Sequence, residues 1–200
     1  MQASTELKPP RWRNGKLWLV LAVCLAPAIA SYFMYYALPP AGRTNYGELV
    51  EPQRPLPALS LNHLDGKAFD AERLRGKWVM VQVDGGDCDA DCVAKLYSMR
   101  QVRTTTGKDR DRIERLWLVA DAAPLSTVLM REYDGTVFLR ARPAELASFL
   151  ALPEGAQAQL ADHIWLIDPL GNLMLRWPRA ADPNRMKKDI AKLLKASRVG

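Results

Sequence analysis

Residues 78–92 read Trp78-Val79-Met80-Val81-Gln82-Val83-Asp84-Gly85-Gly86-Asp87-Cys88-Asp89-Ala90-Asp91-Cys92. Trp78 to Val83 is an apolar run with the length and β-branching of a buried strand. Ala94 to Arg103 reads as a helix, so two cysteines stand where a strand hands over to a helix. Four residues apart in the first turn of a helix, they project to the same side. Cα atoms one helical turn apart fall within the roughly 4.4–6.8 Å that a disulfide spans, and the same pair can grip a soft metal ion. A helix N-terminus favours thiolates, whereas Asp84, Asp87, Asp89 and Asp91 oppose them and suit a bound cation. The plainer alternative is a structural disulfide beside aspartates that cap the helix and complement its dipole.

Around this junction the pattern alternates between strand and helix. Leu59-Ser60-Leu61-Asn62 predicts a short strand, and Asp65-Gly66 predicts the turn that folds Leu64 to Phe69 back on it. Leu116 to Ala120 reads as a second buried strand, Ser126 to Tyr133 as a short helix, Val137 to Leu139 as a strand and Pro143 to Leu150 as a helix. Leu152 to Leu160 is a loop or irregular helix. Ile164 to Ile167 and Leu173 to Trp177 flank Asp168-Pro169-Leu170-Gly171-Asn172, a strong hairpin signal. Asp182 caps a last helix from Pro183 to Ala196, with Met186, Ile190, Leu193 and Leu194 on one apolar face. No repeats occur. This order predicts a thioredoxin-like α/β sandwich.

The N-terminal part has a different character. Lys8, Arg11, Arg13 and Lys16 precede an uncharged apolar run, Leu17 to Leu38, long enough to span a bilayer. Basic residues before the run and acids after it place the N-terminus in the cytoplasm and the rest outside. Ala28-Ile29-Ala30 resembles a signal-peptidase site, but Tyr32-Phe33-Met34-Tyr35-Tyr36 continues the apolar run beyond it, so an uncleaved anchor is expected. Cys24 lies inside the span and reads as a packing residue. The expected organisation is a cytoplasmic basic tail at 1–16, an anchor at 17–38, a proline-rich tether at 39–57 and the globular domain at 58–200. The 28 basic against 22 acidic residues give a net charge of +6, but the excess sits at the two ends of the chain. With no aromatic-basic interleaving and no nucleic-acid motif, a nucleic-acid partner is not expected.

There are two histidines. His63 adjoins the first hairpin and reads as a surface residue. His163 immediately precedes the strand Ile164 to Ile167, whose start is expected to face the cysteine loop. Leu74-Arg75-Gly76-Lys77, the C-x-x-x-C of Cys88 and Cys92, and Asp162-His163 before Ile164-Trp165-Leu166-Ile167-Asp168-Pro169-Leu170-Gly171 together resemble the Sco/SenC family. These are thioredoxin-like copper chaperones for cytochrome c oxidase assembly. The resemblance runs from about Pro55 to Leu194 and makes this a divergent member. Asp89 and Val93 stand where the family commonly has proline after each cysteine, and Gly85-Gly86 replaces an aromatic residue before them.

The resemblance implies a copper site of Cys88, Cys92 and His163, in which His163→Ala severely weakens Cu(I) binding. It also implies a partner: the cytochrome c oxidase subunit that carries the binuclear copper site. The implied location is the inner membrane, single-pass, with the C-terminal domain periplasmic. Two thiolates and an imidazole are a soft set that suits copper, whereas a closed zinc site wants a fourth ligand. A metallochaperone turns over no substrate. The alternative is a thiol–disulfide oxidoreductase that reduces the cysteines of the target copper site, made sluggish by the nearby aspartates. A third possibility is an assembly factor whose disulfide is only a staple.

Overall fold

The structure is a computed structural model that describes residues 13–37, 45–153, 157–197 and 199. It divides into two units, 1–44 and 45–200. In the first, helix α1 (Arg13–Ala37) runs unbroken through Pro27. Its stretch Gly15–Ala37 is long and apolar enough to cross a membrane, and none of that stretch is buried against protein. Lys8 and Arg11 lie outside the described residues.

The second unit is built on the apolar run that opens the cysteine stretch. That run forms β4 (Trp78–Asp84), buried on both faces through Val83. It pairs in parallel with β5 (Ile113–Val119) and antiparallel with β7 (His163–Ile167). Outward from β5 lie β6 (Thr136–Arg140), β2 (Leu61–His63) and β3 (Ala68–Phe69); outward from β7 lie β8 (Asn172–Pro178) and β1 (Glu48–Pro55). Among the described residues, eight strands form one mixed sheet. Helices α2 (Ala90–Thr105) and α5 (Pro183–Ala196) cover one face with Trp78, Met80, Ile164 and Leu166 beneath them. Helix α4 (Pro143–Phe149) covers the other, where Val79, Val81, Val83 and Trp165 point. Helix α3 (Thr127–Glu132), capped by Ser126, follows β5.

The thioredoxin-like α/β arrangement, the Asp65-Gly66 hairpin, the β7–β8 hairpin and the Asp182 cap stand as the sequence predicts. The proline-rich stretch does not remain a tether along its whole length, because Glu48–Pro55 is an edge strand against β8. Prolines forbid a central strand but are tolerated at an edge, where one side of the backbone faces solvent. Just before it, the Tyr46 and Gly47 amides donate to the buried Asp189 carboxylate of α5, at 3.0 and 2.8 Å. Trp177 Nε1 donates to the same carboxylate at 3.1 Å. The compact unit therefore begins at Asn45 rather than at residue 58.

Candidate thiol site

Helix α2 starts at Ala90, earlier than the apolar pattern alone suggests, because Asp89 caps it. The Asp89 carboxylate accepts from the Cys92 amide at 2.9 Å, which satisfies a donor that the first turn leaves open. Cys92 is thus in the first turn, while Cys88 precedes the cap and stands outside the helix. The two are joined by a disulfide with Cα atoms 5.3 Å apart. Their settings differ. Cys92 is buried, whereas Cys88 is half-buried and lines an open groove of about 580 Å3. Ala123, Pro124, Leu125, Val128 and Leu129 form the apolar wall opposite.

The loop before Cys88 is held from the β5 side. The Gly86 amide donates to Asp121 Oδ1 at 2.9 Å, and a side chain at Gly86 would meet the Ala123 carbonyl oxygen at 2.4 Å. Glycine is required here because two backbones approach closely. Below the disulfide, Gln82 is fully buried in β4 and its Nε2 donates to Cys92 Sγ at 3.4 Å. Oε1 of the same side chain is buried with no hydrogen-bond partner among the described residues.

The four aspartates do not form the bare negative cluster that their spacing suggests. Lys95, one turn beyond Cys92 and buried, places its ammonium 2.7 Å from the Asp84 carboxylate and 2.5 Å from the Ala161 carbonyl oxygen. Burial pushes the Asp84 carboxyl above the usual carboxylate range, and Lys95 pulls it part of the way back. Asp91 pairs with Arg179 at 2.8 Å, and the other arm of that guanidinium binds Asp162. Asp89 is occupied as the helix cap, and Asp87 is exposed at the groove.

His163 is not brought to the cysteines. Successive side chains on a strand point to opposite faces. Ile164 pairs with Gln82 across β7 and β4 and faces α2, so His163 and Trp165 face the other way. The His163 ring lies against Trp165, with centroids 5.2 Å apart, and Nδ1 is 3.3 Å from the Trp177 carbonyl oxygen. Burial lowers its pKa below the ordinary histidine range, which favours a neutral ring. Among the described residues no group of three His, Cys, Asp or Glu side chains converges as a metal site. His63 stands apart, in an edge-to-face contact with Phe69.

Three residues near the thiols escaped the reading of the sequence. Gln82 signals itself only as the polar residue in an apolar run, and Lys95 only by sharing a helical face with Cys92, Met99 and Val102. Arg179 carries no local signal, because its partners are far away in sequence.

A family of transmembrane-like, thioredoxin-like C-terminal domains matches residues 78–197. The chain belongs to this family. The matched residues begin at the first residue of β4 and run one residue past α5, so this thioredoxin-like domain includes the cysteine loop and both helices over it. A search of curated proteins finds no match. Among solved structures, the apo Sco1 protein from Thermus thermophilus superposes with a TM-score of 0.60 at 17% identity, covering 76% of this chain and 99% of its own. Yeast Sco1 with copper bound gives 0.55 at 16% identity, covering 78% and 96%. BsSco, described with a disulfide switch and as a member of the Sco family of cytochrome c oxidase assembly proteins, gives 0.53 at 13%, covering 73% and 96%. At these identities the likeness is one of fold.

Proposed function

We propose that this chain is a membrane-anchored thiol protein of cytochrome c oxidase assembly, and that its Cys88–Cys92 pair works by dithiol–disulfide exchange. The observation that carries the reading is the asymmetry of the bridge: Cys88 opens onto a groove while Cys92 is buried behind it. A reduced Cys88 thiolate attacks a disulfide of the partner, and one partner sulfur leaves with the electron pair. Cys92 then attacks Cys88 Sγ in the mixed disulfide, which releases the partner's second thiolate and closes the Cys88–Cys92 bond. The partner gains two electrons and this pair loses two. The natural partner is the oxidase subunit with the binuclear copper site, whose cysteines must be reduced before they take metal. Anchored by α1 with its basic flank in the cytoplasm, the domain would work in the periplasm at the inner membrane, where thiols oxidise unless maintained. BsSco, which shares the fold and is described with a disulfide switch in a family of cytochrome c oxidase assembly proteins, supports the exchange reading.

A second reading treats copper as cargo of the reduced pair, favoured by the convergence of the two sulfurs and by the copper-bound Sco1 of the same fold. Two local thiolates are a soft, low-coordinate set for Cu(I). We propose a two-sulfur site that excludes His163, because the ring turns to the opposite face of the sheet.

Both readings are checked on the full-length chain in detergent. The reduced protein should reduce a model disulfide, Cys88→Ser should abolish the reaction, and Cys92→Ser should accumulate the mixed disulfide. Wild-type rates in Cys88→Ser would end the exchange reading. In anaerobic titration, wild type and His163→Ala should each bind one Cu(I) per chain and Cys88→Ser none. A His163→Ala variant that loses copper would reinstate the three-ligand set.

A further inference from the structure

Among the buried residues of β4, Gln82 is the polar one, fully enclosed between the cross-strand neighbours Ile164 and Trp117. Neither neighbour can serve its amide, because Ile164 is apolar and the indole N–H of Trp117 donates to the Asp84 carbonyl oxygen at 3.4 Å. The amide of Gln82 is spent on one weak bond, from Nε2 to Cys92 Sγ, and its Oε1 has no donor among the described residues. An amide shut away from water with half its capacity unmet is costly, and such a group calls for a reason. The inner sulfur of the disulfide supplies one.

We propose that Gln82 is a positioning residue that biases the Cys88–Cys92 couple towards the dithiol. The proposal rests on reading that pair as a redox couple. In the disulfide, Cys92 Sγ carries no hydrogen and is only a weak acceptor. Reduction by glutathione changes this. One glutathione thiolate attacks Cys88 Sγ, and Cys92 Sγ leaves with the electron pair beside the Nε2–H that already points to it. A second glutathione thiolate then attacks the glutathione sulfur of the mixed disulfide, which frees Cys88 and forms glutathione disulfide. The two protons given up by the glutathiones end on Cys88 and Cys92. As a thiolate, Cys92 is a stronger acceptor for Nε2–H; as a thiol, it is a donor that Oε1 accepts once the amide turns over. The thiolate strengthens a bond that the disulfide accepts only weakly, and the thiol adds a donor that the disulfide lacks, so the reduced state gains.

The test equilibrates the full-length chain in detergent with glutathione buffers and compares wild type with Gln82→Met, which keeps the volume and removes the amide. Losing one hydrogen bond of this kind should shift the equilibrium about tenfold towards the disulfide, or about 30 mV for a two-electron couple. Gln82→Met should also leave the oxidised protein at least as stable to denaturant as wild type while weakening the reduced one. A merely structural glutamine would weaken both forms alike. An unchanged glutathione equilibrium, or equal losses in both forms, overturns the proposal. If Gln82→Met does not fold, Gln82→Leu is read in the same way. Should the wild-type pair refuse exchange with glutathione, the exchange reading falls. The comparison of chemically reduced and oxidised protein still decides the part played by Gln82.

Discussion

Replacing Lys95 with methionine is expected to cost the domain about 3–5 kcal/mol at neutral pH, since removal of one partner strands a buried charge. Lys95 is buried and the Asp84 side chain nearly so, at 1% and 11% exposed, so solvent cannot replace the lost ammonium. The Ala161 carbonyl loses its donor as well. The pH dependence separates this cause from lost packing. Burial already raises the Asp84 pKa above the 3.8 of a free carboxyl, and Lys95 opposes that rise, so in Lys95→Met the folded-state value climbs further. A carboxyl whose folded pKa exceeds its unfolded one contributes stability below the unfolded value and loses it as pH rises through the folded value. The deficit of Lys95→Met should therefore be small in acid and widen towards neutrality. Asp84→Asn combined with Lys95→Met should recover most of the loss. Urea unfolding at a series of pH values measures both, and a deficit independent of pH would leave packing as the explanation.

The parts of this fold that were legible in the sequence depend on local chemistry. The strand–cysteine–helix junction follows from an apolar run and a cap, and the β7–β8 hairpin follows from Asp168 to Asn172. What stayed hidden depends on pairing at long range. Pro52 and Pro55 signal a tether and an edge strand equally well, and only the partnership with β8 decides between them. The side of the sheet on which His163 sits depends on the register of β7 against β4, in which a shift of one residue would reverse every side chain. Proximity to the cysteines along the strand therefore said nothing about its direction. The aspartates misled for the same reason: Lys95 lies 11 residues from Asp84, on the far side of the cysteine loop, and Arg179 lies 88 residues from Asp91. The cysteines themselves were legible because their partner is local.

Gly86→Ala and Gly85→Ala should differ sharply, although the residues are neighbours in one loop. A Cβ at Gly86 would stand 2.4 Å from the Ala123 carbonyl oxygen and 2.8 Å from its carbon, both backbone atoms. Relief requires the Ala123 to Leu125 segment to move. That segment is itself fixed by Arg140, whose guanidinium donates to the Ala123 carbonyl at 3.0 Å. At Gly85 the obstacle is Asp121 Oδ2 at 2.4 Å, the oxygen that does not hold the Gly86 and Ala123 amides, so the carboxylate can pivot it aside about Oδ1. Forcing a methyl group against a fixed neighbour typically costs about 1–3 kcal/mol, whereas a yielding side chain limits the loss to less than about 1 kcal/mol. Because Ala123 to Leu125 also forms the groove wall facing Cys88, Gly86→Ala should change the rate at which a bulky thiol reagent reaches the reduced Cys88, and Gly85→Ala should not. Denaturant unfolding and thiol-labelling rates on the two variants provide the comparison. Equal effects at both positions would mean that the close approach of the loops does not shape the thiol site.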